Sequence, residues 1–191
     1  MDSSGSGNIK PAPYPQDGVP AGDVACDVLA ATCFIDNRIT FLHKIRTIAE
    51  SFDTHIICFN ADMLAGKRHA RTALHHAVRS FHNRSMVSNT LEMEALLFAA
   101  GSRQCSVAAL FGVHEGDNSL LVCCYPTREG CWDALTPLLN ITNRDEDIIS
   151  SQKRTYLMEL FGITEEEIAS CSGDCITKLI LERIALQEVY R

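Results

Sequence analysis

Apolar positions follow two rhythms along the chain, and the changes between them outline the elements. From Asp23 the stretch DVACDVLAATCFID is apolar almost without interruption and rich in Val, Ile, Phe and Cys. Such a run predicts a strand buried on both faces. Over Asn37–Ser51 the spacing turns helical, with Phe41, Ile45, Ile48 and Phe52 on one stripe. THIICFN, residues 54–60, reads as a second buried strand. Strand, helix and strand in this order predict a crossover unit and favour parallel pairing. Ala61–His82 is expected to be one long helix.

Next comes a helical hairpin. Leu91, Ala95, Phe98 and Ala99 share a face, Glu92 and Glu94 sit in the first turn where the dipole favours them, and Asn89 is the expected N-cap. Gly101 follows as a left-handed stop, and Ser102 is placed to cap a second short helix that ends at Phe111-Gly112. SLLVCCY over Ser119–Tyr125 is a third strand, ended by Pro126. Helices are predicted at Arg128–Thr136, Ser151–Phe161, Thr164–Ala169 and Asp174–Tyr190, with Thr164 and Glu167 spaced as a capping box. Asn140–Ser151 has no firm period and leaves room for a short edge strand. The expected fold is α/β in the mixed α+β sense: one domain over 23–191 with a three- to four-stranded buried sheet wrapped by helices. Residues 1–22 carry four of the six prolines and four of the eleven glycines, which predicts a disordered tail.

Composition narrows the setting. The 191 residues are 46% hydrophobic and 21% charged, ordinary values for a globular domain with a sizeable core. No stretch approaches the ~18–20 apolar residues that span a bilayer. The first residues lack the apolar core of a signal peptide. Nine cysteines, an odd number and mostly inside apolar runs, read as reduced core residues. A soluble, cytoplasmic protein is expected.

Charge changes the picture more. The formal net charge is −7, yet positions 63–91 contain no acidic residue and hold Lys67, Arg68, Arg71, Arg79 and Arg84. On a helical wheel Lys67, Arg71, His82, His75, Arg68 and Arg79 fall within an arc of about 120°, opposite Ala73, Ala77, Phe81 and Leu74. An ordinary solvated helix face interleaves signs; this one gathers cations, a surface suited to phosphates and to salt-dependent binding. Arg103 and Gln104 stand on the corner after Gly101. They either cross-link the hairpin or reach outward, Arg103 to a phosphate or carboxylate and Gln104 to a base edge.

Catalytic patterns are weak. Cys171 and Cys175 lack neighbouring His or Cys to complete a metal site, and His75 and His76 point to different helix faces. There is no Gly-x-Ser-x-Gly elbow, no phosphate-cradling glycine loop and no His-Glu-x-x-His. No cofactor or metal is expected, and the chain reads as one that binds and does not catalyse. In the last helix Ile176, Leu179, Ile180 and Ile184, with Leu181, Leu186 and Val189, spread apolar surface around the whole wheel. Such a helix is either a core element or a surface for a partner.

Several of these features recur together in one family. Asn89, Glu94-x-Leu96-Leu97, Phe98, Gly101 and Arg103-Gln104 are followed by a helix ending Phe111-Gly112-Val113. Asn118-Ser119-Leu120-Leu121-Val122, Asn140-Ile141-Thr142, Phe161-Gly162-Ile163-Thr164 and Leu181-Glu182-Arg183-Ile184 continue the pattern. In order and spacing this resembles the small kinase-binding subunit of the KEOPS complex, the PRPK-binding protein family. Cys105 and Phe98 depart from it, standing where an aliphatic residue and a tyrosine are usual.

The resemblance implies a non-catalytic subunit in the making of threonylcarbamoyl-adenosine on tRNA. Its partners would be the complex's small atypical kinase/ATPase and the 3′-CCA end of tRNA. A nuclear location would join the cytoplasmic one in a eukaryote. On that analogy Lys67, Arg68, Arg71, Arg79, Arg84, Arg103 and Gln104 would face RNA, and Ile176, Leu179, Ile180 and Ile184 the kinase. A protein–protein adaptor without RNA binding is the alternative.

Overall fold

One sheet with two apolar faces organises the molecule. The computed structural model describes residues 26–142, 149–173 and 175–189; the expected tail over 1–22, most of the unreadable stretch after Thr142 and the last predicted helical residue lie outside these. The order is β1 (Asp27–Ile35), α1 (Arg38–Ser51), β2 (His55–Asn60), α2 (Lys67–His82), α3 (Leu91–Ala99) and α4 (Cys105–Ala108). Then come β3 (Gly116–Tyr125), α5 (Cys131–Leu135), β4 (Asn140–Thr142), α6 (Ser151–Phe161), α7 (Glu165–Ser170) and α8 (Cys175–Val189).

The strands lie in the order β2–β3–β1–β4, all antiparallel to their neighbours. β3 spans the centre, with Leu29 opposite Val122 on one side and Cys58 opposite Val122 on the other. The predicted parallel pairing of the first two strands is therefore wrong. The crossover through α1 does leave β1 and β2 pointing the same way, but β3 enters between them and pairs with both. An unbroken apolar run requires cover on both faces, not a parallel ladder, and here helices supply the cover. Alternation sends Val28, Ala30, Ile57, Phe59, Leu121 and Cys123 to a face covered by α2, α3, α6 and α8. Ala31, Ile35, Ile56, Cys58, Val122 and Cys124 go to the other face, under α1 and α5. Mixed α/β with a four-stranded sheet is the class the periodicities predict.

Caps decide where several helices begin. Asn37 accepts from the Thr40 amide at 2.9 Å and opens α1. Thr164 and Glu167 form the predicted capping box of α7, at 3.2 and 2.9 Å. Thr90, not Asn89, caps α3 by accepting from the Met93 amide at 3.2 Å. Either residue has the chemistry of a cap, and the extended backbone of Thr90 selects it.

Candidate nucleic-acid interface

The cationic helix starts later than its sequence suggests. Ala61–Met63 is a single 3-10 turn, Leu64 and Ala65 are buried in a bend, and Gly66 turns with φ 85° before α2 begins at Lys67. From there the helix sorts its side chains as expected. Ala70, Ala73, Leu74, Ala77 and Val78 are buried, while Arg68, Arg71 and Arg79 are exposed and Lys67, His75 and His82 are half-buried. Phe81, expected inside, is only half-buried. The helix closes on Arg84, a non-glycine at φ 54°, whose N–H reaches Phe81 while the Ser85 N–H reaches Ser80. Arg84 is exposed.

His69 joins this helix to the next. Fully buried, its Nδ1 accepts from the Ala65 amide at 3.1 Å and its Nε2–H donates to the Ala99 carbonyl at 3.0 Å. The edge of its ring meets Phe161 of α6, centroids 5.7 Å apart. Burial holds the imidazole down at a pKa of about 4, against the opposing pull of the Ala99 carbonyl, with Lys153 adding to the depression. It is a neutral tie between the start of α2 and the end of α3. His76, also buried, stacks on Phe98 with centroids 5.3 Å apart.

At the end of α3, Gly101 adopts φ 56°. Its N–H donates to Phe98 and that of Ser102 to Leu97, a paired closure that satisfies the last carbonyls. Ser102 does not cap α4. Gln104 occupies that position without a side-chain bond, and Ser102 Oγ accepts from the Gln104 amide at 3.2 Å. The corner remains outward, with Arg103 and Gln104 both exposed.

These ties divide the seven predicted RNA-facing residues. The His69–Ala99 bond sets the start of α2, with Lys67, Arg68 and Arg71, beside the end of α3; Arg103 and Gln104 follow on the corner after it. Arg79 lies about 18 Å along the helix from Lys67, and Arg84 beyond it. The result is a band with a dense end and a sparse end.

The loop beyond the sparse end is organised by Glu94. It stands in the first turn of α3 as expected, and it is fully buried. Its carboxylate accepts from the Val87 amide at 3.1 Å, the Ser88 amide at 3.0 Å and the Ser88 hydroxyl at 2.9 Å. It thereby anchors the loop that joins α2 to α3. The available signal was spacing: Glu94 lies three residues after Leu91 and four before Phe98, on their face.

The expected partner surface on α8 needs correction. Ile176, Ile180 and Ile184 are 2%, 0% and 0% exposed, packed into the core that α2, α3 and α6 share. Leu179 alone of the four keeps partial exposure. Accessible apolar surface on this side comes from Leu186 and Tyr156; elsewhere it comes from Phe34, Ile39 and Leu42, where β1 turns into α1, and from Leu110.

A shallow cleft of about 490 Å³ lies between Thr32–Phe34 and residues 136–141; its lining contains the Cys33 thiol but no carboxylate, His, Lys or Arg. Among the described residues no group of three His, Cys, Asp or Glu is placed to hold a metal. All nine cysteines are free; burial, then the neighbouring Cys33, raises the Cys58 thiol to about 12. No described helix is long and apolar enough to cross a membrane.

Fold and surface together describe a small α/β protein with a cationic face on α2 and separate exposed apolar residues. The family model described as kinase binding protein CGI-121 matches residues 34–188, and the chain belongs to that family. No individual curated protein matches it. The expected membership in the small kinase-binding subunit family therefore stands, and with it a kinase-binding accessory role.

Proposed function

We propose that this protein is a non-catalytic KEOPS subunit that supports the small atypical kinase/ATPase and holds the 3′-CCA end of tRNA during threonylcarbamoyl-adenosine formation. The observation that carries the RNA half is the band on α2. Arg68, Arg71 and Arg79 are exposed on one helix face in a 29-residue segment without a single carboxylate, inside a chain of net charge −7. A polyanion is the natural partner of such a face. The exposed Arg103 corner extends the band at its dense end. The kinase half rests on the family, with Leu179, Leu186 and Tyr156 as its apolar contacts in this reading.

The test is tRNA binding by the whole chain at increasing salt, with intact and CCA-trimmed tRNA. Changing Arg68, Arg71 and Arg79 together to Glu is expected to weaken binding at moderate salt by about tenfold or more. Unchanged affinity would reject the band as the RNA face and leave an adaptor that binds the kinase alone.

A further inference from the structure

Three flat side chains lie nearly parallel from the core to the cationic face of α2. Phe98 of α3 is fully buried, and the buried His76 packs on it with centroids 5.3 Å and planes 24° apart. His75 continues the series, its centroid 6.0 Å from that of His76 and its plane 28° away. Separations and tilts of this kind belong to offset stacks. The outermost ring is half-buried, so the series reaches the surface at His75. A histidine that only ties the fold looks different here: His69 is sealed in, with both nitrogens bonded.

His75 also stands among the cations. Arg71 precedes it by about one helical turn and Arg79 follows it by the same, roughly 6 Å along the axis on either side, and both are exposed. A nucleic-acid strand laid along this face would set phosphates on the two arginines and a base between them. We propose that His75 is a stacking platform for an unpaired nucleobase, held in place by phosphates on Arg71 and Arg79. This role rests on the RNA reading of the band and adds a preference to it. The band favours single-stranded RNA over duplex, because a paired base keeps both faces inside its own stack. Phe81 and His82, at the other end of the helix, make the contrast: their rings meet edge to face, 81° apart, and build no parallel series.

The test uses the full chain and two single-stranded RNA oligonucleotides of equal length and charge, one of uridines and one abasic throughout. The wild type is expected to bind the uridine strand about tenfold more tightly. His75→Ala should lose most of that preference while keeping its affinity for the abasic strand and its salt slope. His75→Phe supplies a flat face without ring nitrogens and should keep the preference; it also carries the test if His75→Ala loosens the packing of His76. Equal binding of the two strands by the wild type, or an undiminished preference in His75→Ala, overturns the platform and leaves the cationic band standing. Loss of the preference in His75→Phe overturns it as well, and a salt slope lower by about 0.7 in His75→Ala would make His75 a phosphate ligand instead. If neither strand binds, or if changing Arg68, Arg71 and Arg79 together to Glu leaves both affinities unchanged, the RNA reading itself fails and the platform with it.

Discussion

At the scale of single residues, His69 is placed to make stability depend on pH in a defined window. Its two ring nitrogens are committed to the Ala65 amide and the Ala99 carbonyl, so the folded chain needs the neutral ring. An unfolded histidine takes a proton as pH falls below about 6.5, whereas the folded site resists until about 4. Between those values the unfolded state binds more protons, and stability falls as pH falls. The loss across the whole window is up to about 3 kcal/mol. Glu92 acts lower on the scale: burial pushes its carboxyl up, but the 2.6 Å bond to His55 more than offsets this and holds it below the usual range. Its contribution disappears only in stronger acid. Urea unfolding of the wild type is therefore expected to weaken from about pH 7 to pH 5, and His69→Gln to be less stable at neutral pH with a flatter slope over that interval. Equal slopes for the two proteins would contradict the role given to His69. His69 was not legible as a buried tie, because its partner Ala99 lies thirty residues away and periodicity carries no record of such a partner. Glu94 was legible only as a position on the apolar face of Leu91 and Phe98, not through its bonds to Val87 and Ser88.

At the scale of elements, α8 shows how a correct pattern leaves its cause open. Apolar residues around the whole wheel require cover on several sides, and the fold supplies it from α2, α3 and α6. Ile180→Ala is accordingly expected to cost about 2–5 kcal/mol in denaturant unfolding. Leu186→Ala, at 45% exposure, should cost well under 1 kcal/mol. If Leu186 serves the kinase, Leu186→Asp should reduce co-purification with it while leaving the unfolding midpoint nearly unchanged; retained co-purification would move the kinase to another surface. Elements with strong local signals were readable: the α7 capping box, the stop at Gly101, and the inner stripe of α1 through Phe41 and Ile45. Strand pairing was not. The apolar run of β1 is the same whether its neighbour is β2 or β3, and the loop closure that inserts β3 is decided by helices packing on both faces.

At the scale of the whole molecule, the central quantity is the unequal distribution of charge. Five cations occupy positions 63–91 without an acid, and the remaining chain carries formal −12. Repulsion from the acidic remainder should orient a polyanion so that it approaches along the band. The band itself is graded along α2, with Lys67, Arg68 and Arg71 at the end where His69 ties to Ala99 and Arg79 and Arg84 at the other. A tRNA terminus is single-stranded at its last nucleotides and duplex behind them, so the two ends of the band should meet different RNA. Each phosphate contact contributes about 0.7 to the salt slope on a single strand and about 0.9 on a duplex. Replacing Arg68, Arg71 and Arg103 by Gln should lower the slope by about 2 and remove the difference between intact and CCA-trimmed tRNA. Replacing Arg79 and Arg84 by Gln should lower it by a similar amount, yet preserve that difference. If both variants keep full sensitivity to trimming, the terminus lies off the band, and the clustering produced by His69 serves the fold alone.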